Sequence, residues 1–160
     1  MAERINVHEV APEAYKAMGA LQQLVDRSSL PRTLLELVKM RASQINGCAY
    51  CLDMHSKDAT ALGIPAQKLF LLDAWREAPF YTDQERAALE WTEAVTLISE
   101  GQVPDQIYEA VQPHFSDREL VELTMAVVTI NGWNRLAISF RQQPGAYQSH
   151  LSPEPAASAR

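Results

Sequence analysis

Two helix-start signals of the same kind restrict the fold of this chain more than any other sequence feature. The segments TDQE at 82–85 and SDRE at 116–119 each place a hydroxyl residue three positions before a glutamate. In such a capping box, the two side chains satisfy each other's free backbone N–H groups at the start of a helix. Apolar residues at helical spacing follow, and the alternation typical of strands is absent from the chain. The sequence therefore predicts an all-α fold.

Proline and glycine divide the helical pattern into about six to seven helices. The predicted helices cover about residues 12–26, 31–46, 48–63, 65–76, 83–100 and 104–113, followed by a last helix from the second capping box to about residue 141. This last helix is apolar on almost every side, which is typical of the centre of a bundle or of a subunit interface. We predict one domain over residues 1–143 and a flexible C-terminal tail over residues 144–160.

Charge and composition exclude several classes of protein. The 160 residues carry a formal net charge of −6 and no cluster of basic residues, so we expect neither nucleic acid nor a membrane as a partner. The N-terminus lacks the apolar run of a signal peptide, and no stretch is long enough to span a bilayer. We therefore expect a cytoplasmic protein. In that compartment a CxxC pair is more often catalytic or metal-binding than a structural disulfide.

Both cysteines of the chain lie in the segment GCAYCLDMH at residues 47–55. Cys48, Cys51 and His55 are three and four positions apart, so they share one face of a helix. Free N–H groups at the helix start favour the thiolate forms, and the preceding glycine gives the pair room to form a reversible disulfide. Because His55 lies one turn beyond Cys51 and can accept a thiol proton near neutral pH, we predict Cys51 as the nucleophile. Cys48 is then the resolving thiol and His55 the base.

Two other uses of this motif are considered. The two cysteines and the histidine could supply three zinc ligands, but the chain has no second CxxC or HxxxH pair to complete the site. The remaining histidines, which we expect to be ordinary surface residues, are His8, His114 and His150. A purely structural role for two buried cysteines would leave His55 unexplained. We therefore predict a redox pair with no metal and no cofactor.

A glutamate twelve positions before the first cysteine extends the motif. Residues 36–55 read ELVKMRASQINGCAYCLDMH, an E-x11-C-x-x-C-x3-H arrangement. This arrangement resembles the alkylhydroperoxidase D (AhpD)-like branch of the carboxymuconolactone decarboxylase family. The segment TINGWNRLAISF, which contains Asn131, Asn134 and Arg135, is similar to an N-x-x-N-R run near the end of those proteins. The similarity covers about residues 15–140.

The resemblance implies an all-α bundle that assembles into homo-oligomers, commonly trimers or hexamers. It also implies a thiol-dependent peroxidase that reduces alkyl hydroperoxides in antioxidant defence. By position, Cys51 matches the peroxidatic cysteine and Cys48 the resolving one, while His55 and Glu36 match a proton relay. An external dithiol, either a lipoyl protein or a thioredoxin-like protein, would restore the reduced pair.

Two features set conditions on this expectation. AhpD enzymes carry a histidine between the cysteines, whereas this chain has Tyr50, whose phenol titrates near about pH 10 and cannot replace an imidazole as a base. Glu36 projects away from the apolar face of its helix, so it can serve a relay only if another helix or a neighbouring subunit covers it. The alternative function is a thiol–disulfide oxidoreductase or a redox-sensing oligomer without physiological peroxidase activity.

Overall fold

Helices form all of the regular secondary structure in residues 2–152, the part of the chain that this computed structural model describes. In chain order the α-helices are α1 (Val7–Val10), α2 (Pro12–Asp26), α3 (Arg32–Asn46), α4 (Ala49–Ala61), α5 (Ala66–Phe70), α6 (Asp83–Thr96), α7 (Ile98–Gly101), α8 (Asp105–Val111) and α9 (Asp117–Phe140). Two 3-10 turns, Leu72–Ala74 and Gln112–His114, follow α5 and α8. The predicted all-α fold is confirmed. No helix within residues 2–152 has both the length and the apolar character needed to cross a membrane.

Both capping boxes start helices at the predicted positions. Thr82 accepts a hydrogen bond from the backbone N–H of Glu85, and Ser116 accepts one from the backbone N–H of Glu119. Both glutamates accept a hydrogen bond in return from the backbone N–H of the cap. Residues 2–152 contain two short helices more than predicted: α1 before the first predicted helix, and the separate turn α7 after α6 ends at Thr96. Two other predicted helices likewise end early and continue as 3-10 turns.

The most enclosed helix is α3, which packs against α4, α6 and α9. Nearly every residue from Leu34 to Ser43 is buried, including the charged residues Glu36 and Lys39. The sequence pointed instead to the apolar last helix as the central or interface element. In the structure α9 packs against α2, α3 and α6 and leaves an apolar residue, Val121, exposed to solvent. The helix that carries Glu36 is therefore surrounded by other helices.

A cluster of charged residues joins the turn after α5 to α6. Glu93 accepts hydrogen bonds from Arg41 Nε and from the indole N–H of Trp75, both at 2.8 Å. Burial raises the pKa of Glu93, but hydrogen bonds from Trp75, Arg76 and Arg41 outweigh that effect, so its pKa is lowered. Trp75 is buried, and this cluster anchors it. Glu93 is thus an ionised, structural glutamate.

The first part of the C-terminal tail lies against α4. The backbone N–H of Gly145 donates to Asp53 Oδ2 at 3.0 Å, and Lys57 Nζ donates to the carbonyl oxygen of Tyr147 at 3.0 Å. These contacts bring residues 145–147 alongside the helix that follows the CxxC motif. The tail was predicted to be flexible as a whole, and its residues 153–160 lie outside the described part of the chain.

Candidate functional site

A left-handed turn between α3 and α4 builds the site. Gly47 has a φ of 68° and a ψ of 33°, a conformation that glycine adopts without the steric cost of a side chain. The backbone N–H of Cys48 donates to the carbonyl oxygen of Ser43 at 3.0 Å, which closes the end of α3. Cys48 is the N-cap residue of α4, as predicted, and α4 then packs back along α3. This reversal is what places the CxxC motif beside Glu36.

The two cysteines are free thiols and each is 1% exposed. They pack with Ala42 of α3 and with Ile130 and Ala137 of α9. Cys51 also lines a cavity, whereas Cys48 lies behind it and does not contribute to the cavity wall. A small molecule that enters the cavity can therefore reach Cys51 first.

The thiol with the lower pKa is not the one that lines the cavity. A hydrogen bond from Cys51 is the largest of the effects that lower the pKa of Cys48 to about 7, and the N–H groups of Tyr50 and Cys51 at the helix start contribute as well. The pKa of Cys51 is raised, because its thiol is hydrogen-bonded to Cys48, is buried and lies near the Cys48 charge. The sequence predicted Cys51 as the activated thiol. The two sulfurs share a proton, with Cys48 the more acidic partner, and the assignment of Cys51 as the nucleophile stays a prediction.

The side chains of Glu36, Lys39 and His55 form a second part of the site. His55 Nδ1 lies 2.8 Å from Glu36 Oε2, and Lys39 Nζ donates to Glu36 Oε1 at 2.8 Å. Glu36 is 3% exposed and His55 is 4% exposed, so α4 supplies the cover that the sequence required for Glu36. Burial raises the pKa of Glu36, but His55 and Lys39 together outweigh it and lower the pKa. Glu36 is therefore held as a carboxylate.

His55 and Cys51 line the same cavity but are not joined by a direct hydrogen bond. Among the hydrogen bonds within residues 2–152, none joins His55 directly to a cysteine sulfur, although the sequence placed the ring within reach of Cys51. Cys51, His55 and Glu36 all line the same cavity. A proton can pass between Cys51 and His55 once a molecule in the cavity bridges them.

The cavity has a volume of about 430 Å³. This is within the range of about 300–1,000 Å³ typical of sites for small organic ligands. Its aromatic and aliphatic lining consists of Tyr15, Leu35, Tyr50, Met54, Trp133, Ala137, Tyr147 and Leu151. His150, expected to be an ordinary surface residue, also lines the cavity. The shape and lining suit an apolar organic molecule better than hydrogen peroxide alone.

Sequence reasoning missed two residues of this site, Asp58 and Tyr147. The Tyr147 hydroxyl donates to Asp58 Oδ1 at 2.9 Å. Ligand atoms of Glu36, His55 and Asp58 lie within 4.8 Å of one another, which brings Asp58 next to the ion pair. The i, i+3 spacing of His55 and Asp58 could have indicated the latter. The tail gave no signal for Tyr147.

The same cluster bears on the metal alternatives. Among the described residues, the two cysteines and His55 do not come together as a set of ligands, so the zinc site that the sequence left open is not formed. Glu36, His55 and Asp58 do come together, but Glu36 is already paired with the Lys39 ammonium and Asp58 with the Tyr147 hydroxyl. These side chains satisfy one another and suit proton transfer better than cation binding.

A second polar cluster lies between α3 and α9. Asn46 Nδ2 donates to the side-chain oxygens of Asn131 and Asn134, both at 2.9 Å. Asn134 Nδ2 donates to Ser43 Oγ at 3.0 Å, and Arg135 Nη1 donates to Asn131 Oδ1 at 2.9 Å. The three residues of the N-x-x-N-R run on α9 thus belong to a network within the chain.

Comparisons with known proteins agree with this architecture. The model of the carboxymuconolactone decarboxylase family matches residues 12–94. The uncharacterized protein YdfG of Bacillus subtilis (strain 168) is 42% identical over 139 residues, which cover 87% of this chain and 95% of that protein. The crystal structure of ATU0492 from Agrobacterium tumefaciens, described as a protein of unknown function and a candidate antioxidant defence protein AhpD, superposes with a TM-score of 0.88 at 46% identity. It covers 91% of this chain and 100% of ATU0492.

A more distant structure shares the fold alone. The apo form of the debrominase Bmp8 has a TM-score of 0.76 and 24% identity, and the match covers 84% of this chain and 73% of Bmp8. The two proteins therefore share a helical arrangement, which by itself implies no common chemistry.

Proposed function

The chain belongs to the carboxymuconolactone decarboxylase family, in its AhpD-like branch, and on that premise we propose that it is a thiol-dependent peroxidase that reduces organic hydroperoxides. One observation carries the proposal. A buried dithiol has one sulfur on the wall of a cavity whose lining surface is mainly apolar, and Glu36, held as a carboxylate beside His55, lines the same cavity. The likeness to ATU0492 supports a role in antioxidant defence. Two free thiols suit the reducing cytoplasm, where we place the protein.

The first step oxidises Cys51. A hydroperoxide enters the cavity, and the proton shared by the two sulfurs moves to Cys48, which leaves a thiolate on Cys51. The Cys51 sulfur attacks the terminal peroxide oxygen, an S–O bond forms and the O–O bond breaks. The leaving alkoxide takes a proton from His55, whose charged form the Glu36 carboxylate stabilises. The products are an alcohol and a sulfenic acid on Cys51.

The second step closes the disulfide. Cys48 lies directly behind Cys51 and has the lower pKa, so it is ready to attack as a thiolate. Its sulfur releases the proton that it received in the first step and displaces the hydroxyl group of the sulfenic acid, which takes up that proton and leaves as water. An external dithiol, from a lipoyl or thioredoxin-like protein, then supplies two electrons and two protons to restore the pair. The acidity of Cys48 thus fits the resolving role that the sequence predicted.

Single cysteine variants test this assignment. Reduced protein is mixed with cumene hydroperoxide, and peroxide consumption and sulfenic acid are measured, the latter by mass spectrometry after dimedone trapping. Cys51→Ser should consume no peroxide above the uncatalysed rate. Cys48→Ser should consume one equivalent and stop with a trapped sulfenic acid on Cys51. The reverse pattern would show that Cys48 is the peroxidatic residue.

A second function has one observation in its favour. In CxxC oxidoreductases the first cysteine, at the helix start, is the acidic one, and Cys48 has that character here. Its burial behind Cys51 argues against attack on a protein disulfide. Reduction of insulin at a higher rate than reduction of cumene hydroperoxide would favour this thiol–disulfide oxidoreductase.

We also propose that the protein forms a homo-oligomer, either a trimer or a hexamer. An apolar face of the bundle remains open to solvent, with Leu24 on α2 and Val121 and Val128 on α9 between 46% and 63% exposed. Burial of this face between subunits removes it from water. Light scattering on oxidised and reduced samples measures the mass, and a change of mass with redox state would favour the sensing alternative.

A further inference from the structure

We propose that Asn134 is a further catalytic residue: its side-chain amide, held in one orientation by Asn46, donates to the sulfur that carries the negative charge of the dithiol. This inference deepens the peroxidase proposed above and rests on it for the meaning of the charge shift. Ionisation of the thiols can nevertheless be measured without any peroxide.

The position of Asn134 on α9 directs it at the sulfurs. Ile130 and Ala137 belong to the same buried cluster as both cysteines, and Asn134 lies four residues after the first and three before the second. Residues with this spacing share one face of a helix. Asn134 is 0% exposed, so its polar groups must find partners inside the protein.

The orientation of the amide follows from its other partners. Asn46 Nδ2 donates to Asn134 Oδ1, which ties the acceptor end of the amide to the end of α3. The donor end has two N–H groups, of which one is bonded to Ser43 Oγ. The other N–H group has no oxygen partner among the described residues, it is buried beside the cluster that holds both thiols, and the amide lowers the pKa of each thiol. Asn46 immediately precedes the Gly47 turn, so the turn that places Cys48 also fixes the amide.

The Asn134 amide acts on both sulfurs, whereas the backbone N–H groups of the helix start act on Cys48 alone. For Cys48 it adds to the Cys51 hydrogen bond and to the backbone N–H groups of the helix start, all of which lower the pKa. For Cys51 the Cys48 hydrogen bond, burial and the Cys48 charge raise the pKa, and Asn134 acts in the opposite direction. Asn134 therefore stabilises the charge on either sulfur. It lowers the cost of moving that charge from Cys48 to Cys51, the sulfur on the cavity wall.

Alkylation kinetics test the inference. The rate of iodoacetamide reaction is measured against pH, with peptide mass spectrometry to identify the modified cysteine. Asn134→Ala should raise the pH of half-maximal reactivity by about one unit, because a hydrogen bond to a charged group is lost. The matched control is Asn131→Ala, one turn earlier on the same helix and bonded to the same Asn46. Its midpoint should equal that of the wild type even though it also loses buried hydrogen bonds. An unchanged midpoint in Asn134→Ala overturns the inference.

Two further measurements cover the case in which Asn134→Ala does not fold. Asn134→Asp keeps the size of the side chain but replaces the donor with an acceptor, and it should raise the midpoint further. In the wild type, the side-chain amide resonances of Asn134 should shift with the thiol titration, whereas constant resonances would contradict the hydrogen bond. A shifted midpoint in a protein that does not reduce cumene hydroperoxide would refute the peroxidase and leave the role of Asn134 standing.

Discussion

Two polar clusters flank the thiol pair, and they differ in kind. The ionic cluster, made of Glu36, Lys39 and His55, lies between α3 and α4 and faces the cavity. The amide cluster, made of Asn46, Asn131 and Asn134, is enclosed between α3 and α9. Charged groups at a cavity wall can exchange protons with a bound molecule. Buried neutral amides cannot do so near neutral pH, but their fixed dipoles stabilise a charge beside them.

The difference suggests a division of tasks. Neither Glu36 nor His55 is among the groups that set the pKa of the two cysteines, whereas Asn134 acts on both. Accordingly, Asn134 of the amide cluster determines where the thiolate charge rests, while Asn131 serves the fold. The ionic cluster would deliver the proton that the leaving alkoxide needs.

The largest effect is expected from Glu36→Gln, which removes the charge of the ionic cluster. Without the carboxylate, the imidazolium loses its partner, and general acid catalysis commonly contributes about 10²–10⁴-fold to a rate. Stopped-flow measurement of thiol oxidation by cumene hydroperoxide should show a decrease of that order. Glu93→Gln is the matched control, since Glu93 is also an ion-paired glutamate with a lowered pKa. Equal rates in Glu36→Gln and wild type would remove Glu36 from the mechanism.

A loss of stability with little loss of rate is expected from Asn131→Ala, on the amide side. Asn131 accepts from Asn46 and Arg135 and donates to Thr96 Oγ1 at 3.0 Å, so its removal leaves buried groups without partners. The free energy of unfolding should fall by about 1–3 kcal/mol in urea titrations. A rate of thiol oxidation that falls as far as in Glu36→Gln would contradict the division of tasks.

The sequence could predict what depends on spacing along one helix. The shared face of residues 48, 51 and 55 follows from helical periodicity, and both capping boxes follow from local hydrogen bonding. The pairing of Glu36 with His55 was predicted through a family resemblance, with the condition that another element cover Glu36. The turn at Gly47 meets that condition, because it packs α4 back along α3.

What the sequence could not predict depends on contacts between distant segments. The acidity of Cys48 relative to Cys51 reflects which N–H groups point at each sulfur, including the amide of Asn134 on a helix far along the chain. The tail composition suggested flexibility, yet Tyr147 contacts Asp58 through a hydroxyl that no local pattern marks as important. Local propensity gives no information about such partners.

A smaller effect, about tenfold, is expected in the alkylation rate as the pH changes. The ionic cluster should not influence it. The pKa of Cys48 is lowered from 9.0 to about 7, so the reactive thiolate appears as the pH rises through 7. The alkylation rate of the wild type should therefore increase about tenfold between about pH 6 and pH 8. Glu36→Gln should show the same midpoint, because the ionic cluster does not set this pKa. A midpoint moved by Glu36→Gln would show that the carboxylate tunes the thiols after all.

The smallest effect is expected from Tyr147→Phe, which extends the comparison to the tail. Loss of one hydrogen bond to the Asp58 carboxylate corresponds to about 0.5–1.5 kcal/mol, or roughly a 2- to 12-fold decrease in kcat/KM for cumene hydroperoxide. The decrease should appear mainly in KM, since Tyr147 also forms part of the cavity wall. Tyr81→Phe is the matched control, because its hydroxyl donates to the carbonyl oxygen of Lys68 at 2.6 Å and Tyr81 packs in a different part of the core. If the two variants have equal kcat/KM values, the tail contributes nothing to the site beyond what any buried tyrosine hydroxyl contributes to the fold.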